Sequence, residues 1–514
     1  MQRKTLSLTV GTVAGLAIAV AGALAGWPDE DGGGDRPVTA AEKRARMAQE
    51  AEREKQQERA GLHWGDCPKE LAAPRVQCGS LKVPLDYDDP DGRMIRIALT
   101  RMESSDPDRR RGVLLTNPGG PGYSGLGHPA LLAKAKLPEE VQAGYDIIGM
   151  DPRGVGASSP VTCDMTTEQM ARGNFPSFAE NAAGVSAEAE YAKTVAEQCG
   201  KSKTAALLPH LTTANTARDM DRVRAALGEE KVSYFGQSYG SYLGSVYATL
   251  FPDRGDRIVL DSNVGPGGYD VRAFRLLARG MEDRFPDFAA FVAGKPEYGL
   301  GRTPKEVAAK YEDLAQRLTR KPVDGVDGTL FRGISLEYLF SDARMPELAK
   351  LWQALDKGGP LPAKPPQATS DNLSASRSHV LCNDSRWPQD IAAYQRSAAD
   401  DRRAYPMLGG STGNITPCAF WPEARKQPVR IGDKGPSNIL MVQNERDPGT
   451  PLVGARELRE ALGDRTRMVT ADQGGHGVYP FGANTCANDA VTAFLVDGKR
   501  PEKDFACKAQ RPAR

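Results

Sequence analysis

Gly236, Gln237, Ser238, Tyr239 and Gly240 spell G-x-S-x-G, and the residues on either side decide what that spelling means. A serine hydroxyl is a poor nucleophile until a base takes its proton, and the base must itself be oriented by a third group. Before the pentapeptide stand Val232, Ser233, Tyr234 and Phe235, a β-prone run. After it Tyr242, Leu243, Val246 and Tyr247 recur at helical spacing, while Gly240, Gly244 and Ala248 leave one helix face nearly bare. Strand, tight turn and helix in that order make a nucleophile elbow, which lifts Ser238 out of a sheet. Flanking glycines leave room where Cβ atoms would collide and can supply positive φ. The same pattern recurs at Gly409, Gly410, Ser411, Thr412 and Gly413, with no strand pattern before it and no helix pattern after it. That copy reads as a Gly/Ser loop.

On an elbow fold the partners follow in chain order Ser, Asp, His. Only two of the five histidines, His379 and His476, lie after Ser238. His379 stands in a polar stretch, SASRSHVL, whereas His476 stands in Gly-Gly-His-Gly just beyond the last strand pattern. His476 is the expected base. The acid should end the preceding strand, where Glu445 and Asp447 compete. Asp447 opens Asp-Pro-Gly-Thr-Pro, a turn of fixed shape that suits an orienting carboxylate, and is favoured over Glu445. Oxyanion donors are expected from the N–H of Tyr239 and from the loop Asn117-Pro118-Gly119-Gly120-Pro121-Gly122, with Gly120 first and Gly119 second.

These side chains need a scaffold, and short buried strands supply it. Residues 93–102 alternate apolar and polar, and 112–116, 145–150, 232–235, 257–260, 439–442 and 468–470 are compact apolar runs. A helix pattern over 213–227 closes at Gly228. Strands alternating with helices predict an α/β fold, mostly a parallel sheet with helices on both faces. Between Asp261 and about Gly435 the rhythm gives way to helical segments at 271–284, 304–318 and 336–355 and a Pro-rich piece at 358–366. That stretch reads as an inserted, mainly helical cap over the sheet's C-terminal edge.

The chain has 514 residues, room for two to three average domains or one large α/β domain with an insertion. A formal net charge of +1 with mixed signs argues against a nucleic-acid partner. Arg3 and Lys4 precede an apolar run at 6–25 that ends in Ala23-Leu24-Ala25, a signal-peptide pattern, with an uncleaved anchor as the alternative. Residues 26–61 read as a pro-segment or linker, 62–261 as the first part of the core, 262–435 as the cap and 436–514 as the second part of the core. After signal cleavage no stable membrane insertion is expected. Eight cysteines, an even number, suit disulfides outside the cytosol. Sequential pairing is expected, joining Cys67 to Cys78, Cys163 to Cys199, Cys382 to Cys418 and Cys486 to Cys507. No His/Cys cluster has metal-ligand spacing, so neither metal nor cofactor is expected.

Four motifs carry a family resemblance: Asn117 to Gly122, Asp151-Pro152-Arg153-Gly154-Val155-Gly156-Ala157-Ser158, the Ser238 pentapeptide and Asp447 to Pro451. They resemble the proline-iminopeptidase branch of the α/β-hydrolases. With the export signal, the cysteines and the Gly-Gly-His-Gly end, the chain looks most like the secreted bacterial tripeptidyl aminopeptidases. The resemblance spans roughly residues 65–510. It departs from proline iminopeptidases at Asn117, where those usually carry His. The resemblance implies a secreted serine exopeptidase that removes short peptides from a free N-terminus; a monomer is expected. It also implies an acidic group in the cap region for the substrate ammonium; Cys382-Asn383-Asp384 resembles a short cap signature, making Asp384 the candidate and Glu445 the alternative. A secreted esterase or lipase with the same triad is the rival, and a non-catalytic wall-attached binding protein the third reading.

Overall fold

The computed structural model describes residues 52, 61–362, 370–422 and 427–510. The expected signal peptide and nearly all of the linker lie outside the described residues. Nine strands form one sheet: β1 (Val76–Pro84), β2 (Met94–Met102), β3 (Gly112–Asn117), β4 (Tyr145–Met150), β5 (Val232–Gln237), β6 (Gly255–Asp261), β7 (Ile439–Arg446), β8 (Thr466–Gly474) and β9 (Phe505–Cys507). They lie in the order β1-β2-β4-β3-β5-β6-β7-β8-β9. β2 runs antiparallel to both β1 and β4, and every other pair is parallel.

Every residue of β3, β4 and β5 is buried, because helices cover both faces of a parallel sheet. Alternation assigns the faces. Leu114, Ile147, Phe235, Val259 and Leu440 join one apolar cluster, and their neighbours Leu115, Ile148, Tyr234, Ile258 and Ile439 join the other. This is the α/β-hydrolase fold. The expected strands are all present. β1 and β9 were not anticipated, since β1 carries Gly79 and Pro84 at an antiparallel edge and β9 has three residues. The four disulfides join Cys67 to Cys78, Cys163 to Cys199, Cys382 to Cys418 and Cys486 to Cys507. Among the described residues no helix is long and apolar enough to cross a membrane.

Between β6 and β7 the chain builds the cap around its own aromatic cluster. Trp352 meets Phe288, Phe331 and Tyr311 at ring-centroid distances of 5.0, 5.3 and 5.5 Å. Two cap helices depart from expectation. The helix expected to stop at Arg284 runs from Val271 to Ala293 straight through Pro286. Burial of Phe288, Ala289 and Val292 beyond the proline outweighs the hydrogen bond the proline cannot donate. The helix expected over 336–355 is two helices, Gly328–Tyr338 and Met345–Lys357, with Pro346 in the first turn of the second. The break between them faces the sheet's C-terminal edge. Two further cap helices, Asp371–Asp384 and Ile391–Ala404, escaped notice because their sequences lack a wide apolar stripe.

Candidate active site

Ser238 sits between β5 and the helix Tyr239–Leu250 with φ 57° and ψ −124°. A non-glycine residue at positive φ is strained, and such strain is held in place by its surroundings. Here Ser238 N–H donates to the Asp261 carbonyl at 2.9 Å, and Ser241 Oγ donates to the Ser238 carbonyl at 2.6 Å. The positive φ thus falls on the serine. The glycines on either side are needed for space: a Cβ on Gly236 would lie 2.3 Å from the Gly240 carbonyl oxygen, and one on Gly240 would lie 2.7 Å from that of Asn117.

The Asp447 turn closes on itself. Its Oδ1 accepts from the N–H groups of Gly449 (2.8 Å) and Thr450 (2.9 Å), and its Oδ2 from Thr450 Oγ1 (2.9 Å). The carboxylate is buried and approaches His476 Nδ1 at 2.8 Å through Oδ1 and 3.0 Å through Oδ2. Burial works against a charged imidazole, but the charge and hydrogen bond of Asp447 outweigh it and push the His476 pKa upward. Phe340 holds the histidine twice more: the backbone N–H of His476 donates to the Phe340 carbonyl at 2.8 Å, and the Phe340 ring lies 4.7 Å from the imidazole centroid. Behind the loop, Asp261 at the end of β6 accepts from the N–H groups of Val478 (2.9 Å) and Tyr479 (2.8 Å). Burial raises the Asp261 pKa to about 6.

Ser238, His476 and Gly120 line one cavity of about 310 Å³ under the cap. Ser238 Oγ makes a 3.3 Å hydrogen bond with the hydroxyl of Tyr269. The loop after β3 packs on the elbow, for a Cβ on Gly119 would lie 2.8 Å from Ser238 Cβ and 3.2 Å from Tyr239 N. Gly119 N–H is engaged by Asn117 Oδ1 at 2.9 Å. Among the described residues the N–H groups of Gly120 and Tyr239 donate to no protein acceptor, and Gly120 lines the cavity.

Asp384 stands apart from the Ser238 cavity. Its oxygens accept from the N–H and hydroxyl of Thr213, and it lines a different cavity of about 280 Å³ with His210 and Arg218. Glu445 stands near the end of β7 and does not line the Ser238 cavity either. The carboxylate that does is Glu337, at the end of the helix before the break, with Asn174 Nδ2 donating to its Oε1 at 3.4 Å. Burial raises its pKa. His379 is buried in a cap helix, bonded to the Ala375 carbonyl and held neutral with a pKa lowered to about 4. Ser411 lies in a short helix, Gly409–Thr412, rather than the expected loop, and its Oγ is buried without a partner. Sequence reasoning missed Tyr269, Glu337 and Asp261. No motif marks Glu337; the turn run Gly265-Pro266-Gly267-Gly268 before Tyr269 and the strand end at Asp261 were the available signs for the other two.

A strained serine on an elbow, a histidine held by a buried aspartate and a backbone-lined loop beside them define a serine hydrolase of the α/β-hydrolase fold. The family described as TAP-like protein matches residues 405–507. The tripeptidyl aminopeptidase of Streptomyces lividans is 35% identical over 470 residues, covering 87% of each chain. Serine protease Hip1 of Mycobacterium bovis is 30% identical, covering 84% of this chain and 87% of its own. Carboxylesterase B of Mycobacterium tuberculosis (strain H37Rv) is 29% identical, covering 86% and 89%. The chain belongs to the tripeptidyl aminopeptidase family.

Proposed function

We propose that the protein is a secreted serine aminopeptidase that releases short peptides, tripeptides above all, from substrates with a free N-terminus. Residues 1–25 act as its signal peptide, 26–61 as a pro-segment or linker, and 262–435 as the cap. The observation that carries the reading is that Ser238, His476 and Glu337 line one capped cavity. Ser238 Oγ attacks the scissile carbonyl carbon while His476 Nε2 takes its proton, and Asp447 stabilises the imidazolium through Nδ1. The N–H groups of Tyr239 and Gly120 receive the oxyanion. His476 then returns the proton to the leaving amine, and a water activated by the same imidazole hydrolyses the acyl-enzyme.

An exopeptidase must measure from the chain end, and a wall with a carboxylate does so. Glu337 takes the substrate ammonium, with Asn174 fixing the carboxylate. Burial of an unpaired charge is costly, so masking the ammonium should be expensive. The test compares tripeptidyl arylamides with free and N-acetylated N-termini. Free substrates should have kcat/KM higher by about a hundredfold, and Glu337→Gln should erase most of that preference while Asp384→Asn keeps it. Equal rates on both substrates would sink the aminopeptidase reading. The carboxylesterase relative favours a second reading, an esterase, which that result together with faster cleavage of acyl esters would support.

A further inference from the structure

A second cavity, of about 120 Å³, adjoins the Ser238 cavity and shares Asn174, Phe175 and Arg377 with it. Four residues of the helix Asp371–Asp384 line it: Ser374, Arg377, Ser378 and Leu381, at i, i+3, i+4 and i+7. That spacing puts one face of the helix along the cavity. Its guanidinium and two hydroxyls carry five or more hydrogen-bond donors. Among the described residues none of these three groups has a side-chain hydrogen-bond partner or a close ion pair, although the charge of Arg377 is felt by Glu337 and Tyr269. The neighbouring Arg172, by contrast, is engaged by Glu188, Ser177 and the ring of Tyr191. Opposite lies Thr416, which is 8% exposed and whose buried hydroxyl also lacks a partner. The guanidinium and the two serine hydroxyls open onto the cavity, and a ligand that offers charged acceptors in matching geometry binds there more strongly than the water it displaces.

We infer that this cavity is a subsite for a carboxylate on the side chain of the substrate's N-terminal residue, received by Arg377 between Ser374 and Ser378. The inference rests on the aminopeptidase reading. Asn174 lines both cavities and holds Glu337, so an ammonium at Glu337 stands at the border between them. The side chain on the same α-carbon then has the second cavity within reach. An arginine fork matches a carboxylate with two parallel hydrogen bonds, which lysine or a neutral donor cannot copy. Glu337 and Arg377 together would read both charges of an N-terminal Asp or Glu.

The experiment compares Glu-Ala-Ala, Gln-Ala-Ala and Lys-Ala-Ala arylamides, with Ala-Glu-Ala and Ala-Ala-Glu as position controls. Wild type should prefer N-terminal Glu over Gln by about 10–100-fold in kcat/KM, the range for a charged hydrogen-bonded pair. Arg377→Gln should bring that ratio near one, Arg377→Lys should restore part of it, and Ser378→Ala should lower it even where Arg377→Gln fails to fold. No Glu preference in wild type, a preference confined to the second or third position, or an unchanged ratio in a folded Arg377→Gln would overturn the inference. In each of those results cleavage of Gln-Ala-Ala arylamide leaves the aminopeptidase reading standing. A wild type that cleaves none of the peptides brings down both.

Discussion

At the scale of single residues the strongest expectation concerns the triad. Ser238→Ala, His476→Ala and Asp447→Asn should each lower kcat by about 10⁴-fold or more while the protein stays folded, and the double variants should lose little more, because the groups act as a unit. Ser411→Ala is the control: it removes an unpartnered buried hydroxyl, so kcat/KM should match wild type. The upward push of Asp447 on His476 places the rising limb of the kcat/KM profile above pH 6.5, since the base must be neutral to act. Without that charge only the burial cost remains, so Asp447→Asn should move the limb to lower pH. A limb that stays put would show that the carboxylate does not set it. Ser238, Asp447 and His476 were legible because each sits in a motif whose turn residues announce a fixed backbone. Glu337 was not, because no motif marks the cap helix that carries it, and Tyr269 follows Gly265-Pro266-Gly267-Gly268, a turn signal that announces a backbone bend without a role for the side chain beyond it. Asp384 looked right beside Asn383, but Thr213 satisfies it on the far side.

At the scale of elements, the elbow and the His476 loop are held by contacts that tolerate little change. Gly236→Ala would drive a Cβ into the Gly240 carbonyl. It should cost about 1–3 kcal/mol by overpacking and abolish turnover, read by urea unfolding and active-site titration. The disulfide Cys382–Cys418 ties the end of one cap helix to a segment beside it, closing a loop over a sequence separation of 36 residues. Replacing both cysteines with alanine should destabilise the fold by ~2–4 kcal/mol, and a variant that melts with wild type would refute that share. The strands were readable from short apolar runs of three to six residues and from one alternating stretch at 93–102. The cap helices were less so, since Pro286 and the break near Asp342 each say one thing locally and another once tertiary burial is counted.

For the whole molecule the buried carboxyls set a direction with pH. Burial raises Asp261 and Asp384 from 3.8 to about 6, so both groups favour the folded state fully below pH 3.8 and lose that contribution as pH climbs through 6. The raised His476 acts in the same sense, its contribution fading as pH rises above 6.5. Melting temperature should therefore fall between pH 5 and pH 7, and Asp261→Asn, which mimics the protonated acid, should flatten the slope. An equal slope in the variant would exclude Asp261 as a source. One contact reaches further than its size suggests. The carbonyl of Phe340, in the cap, holds the backbone of His476, in the core. The segment between β6 and β7 is thereby fastened to the loop that carries His476. Exchanging caps between relatives, the obvious shortcut for an engineer seeking new selectivity, should yield dead chimeras unless that one carbonyl is grafted back.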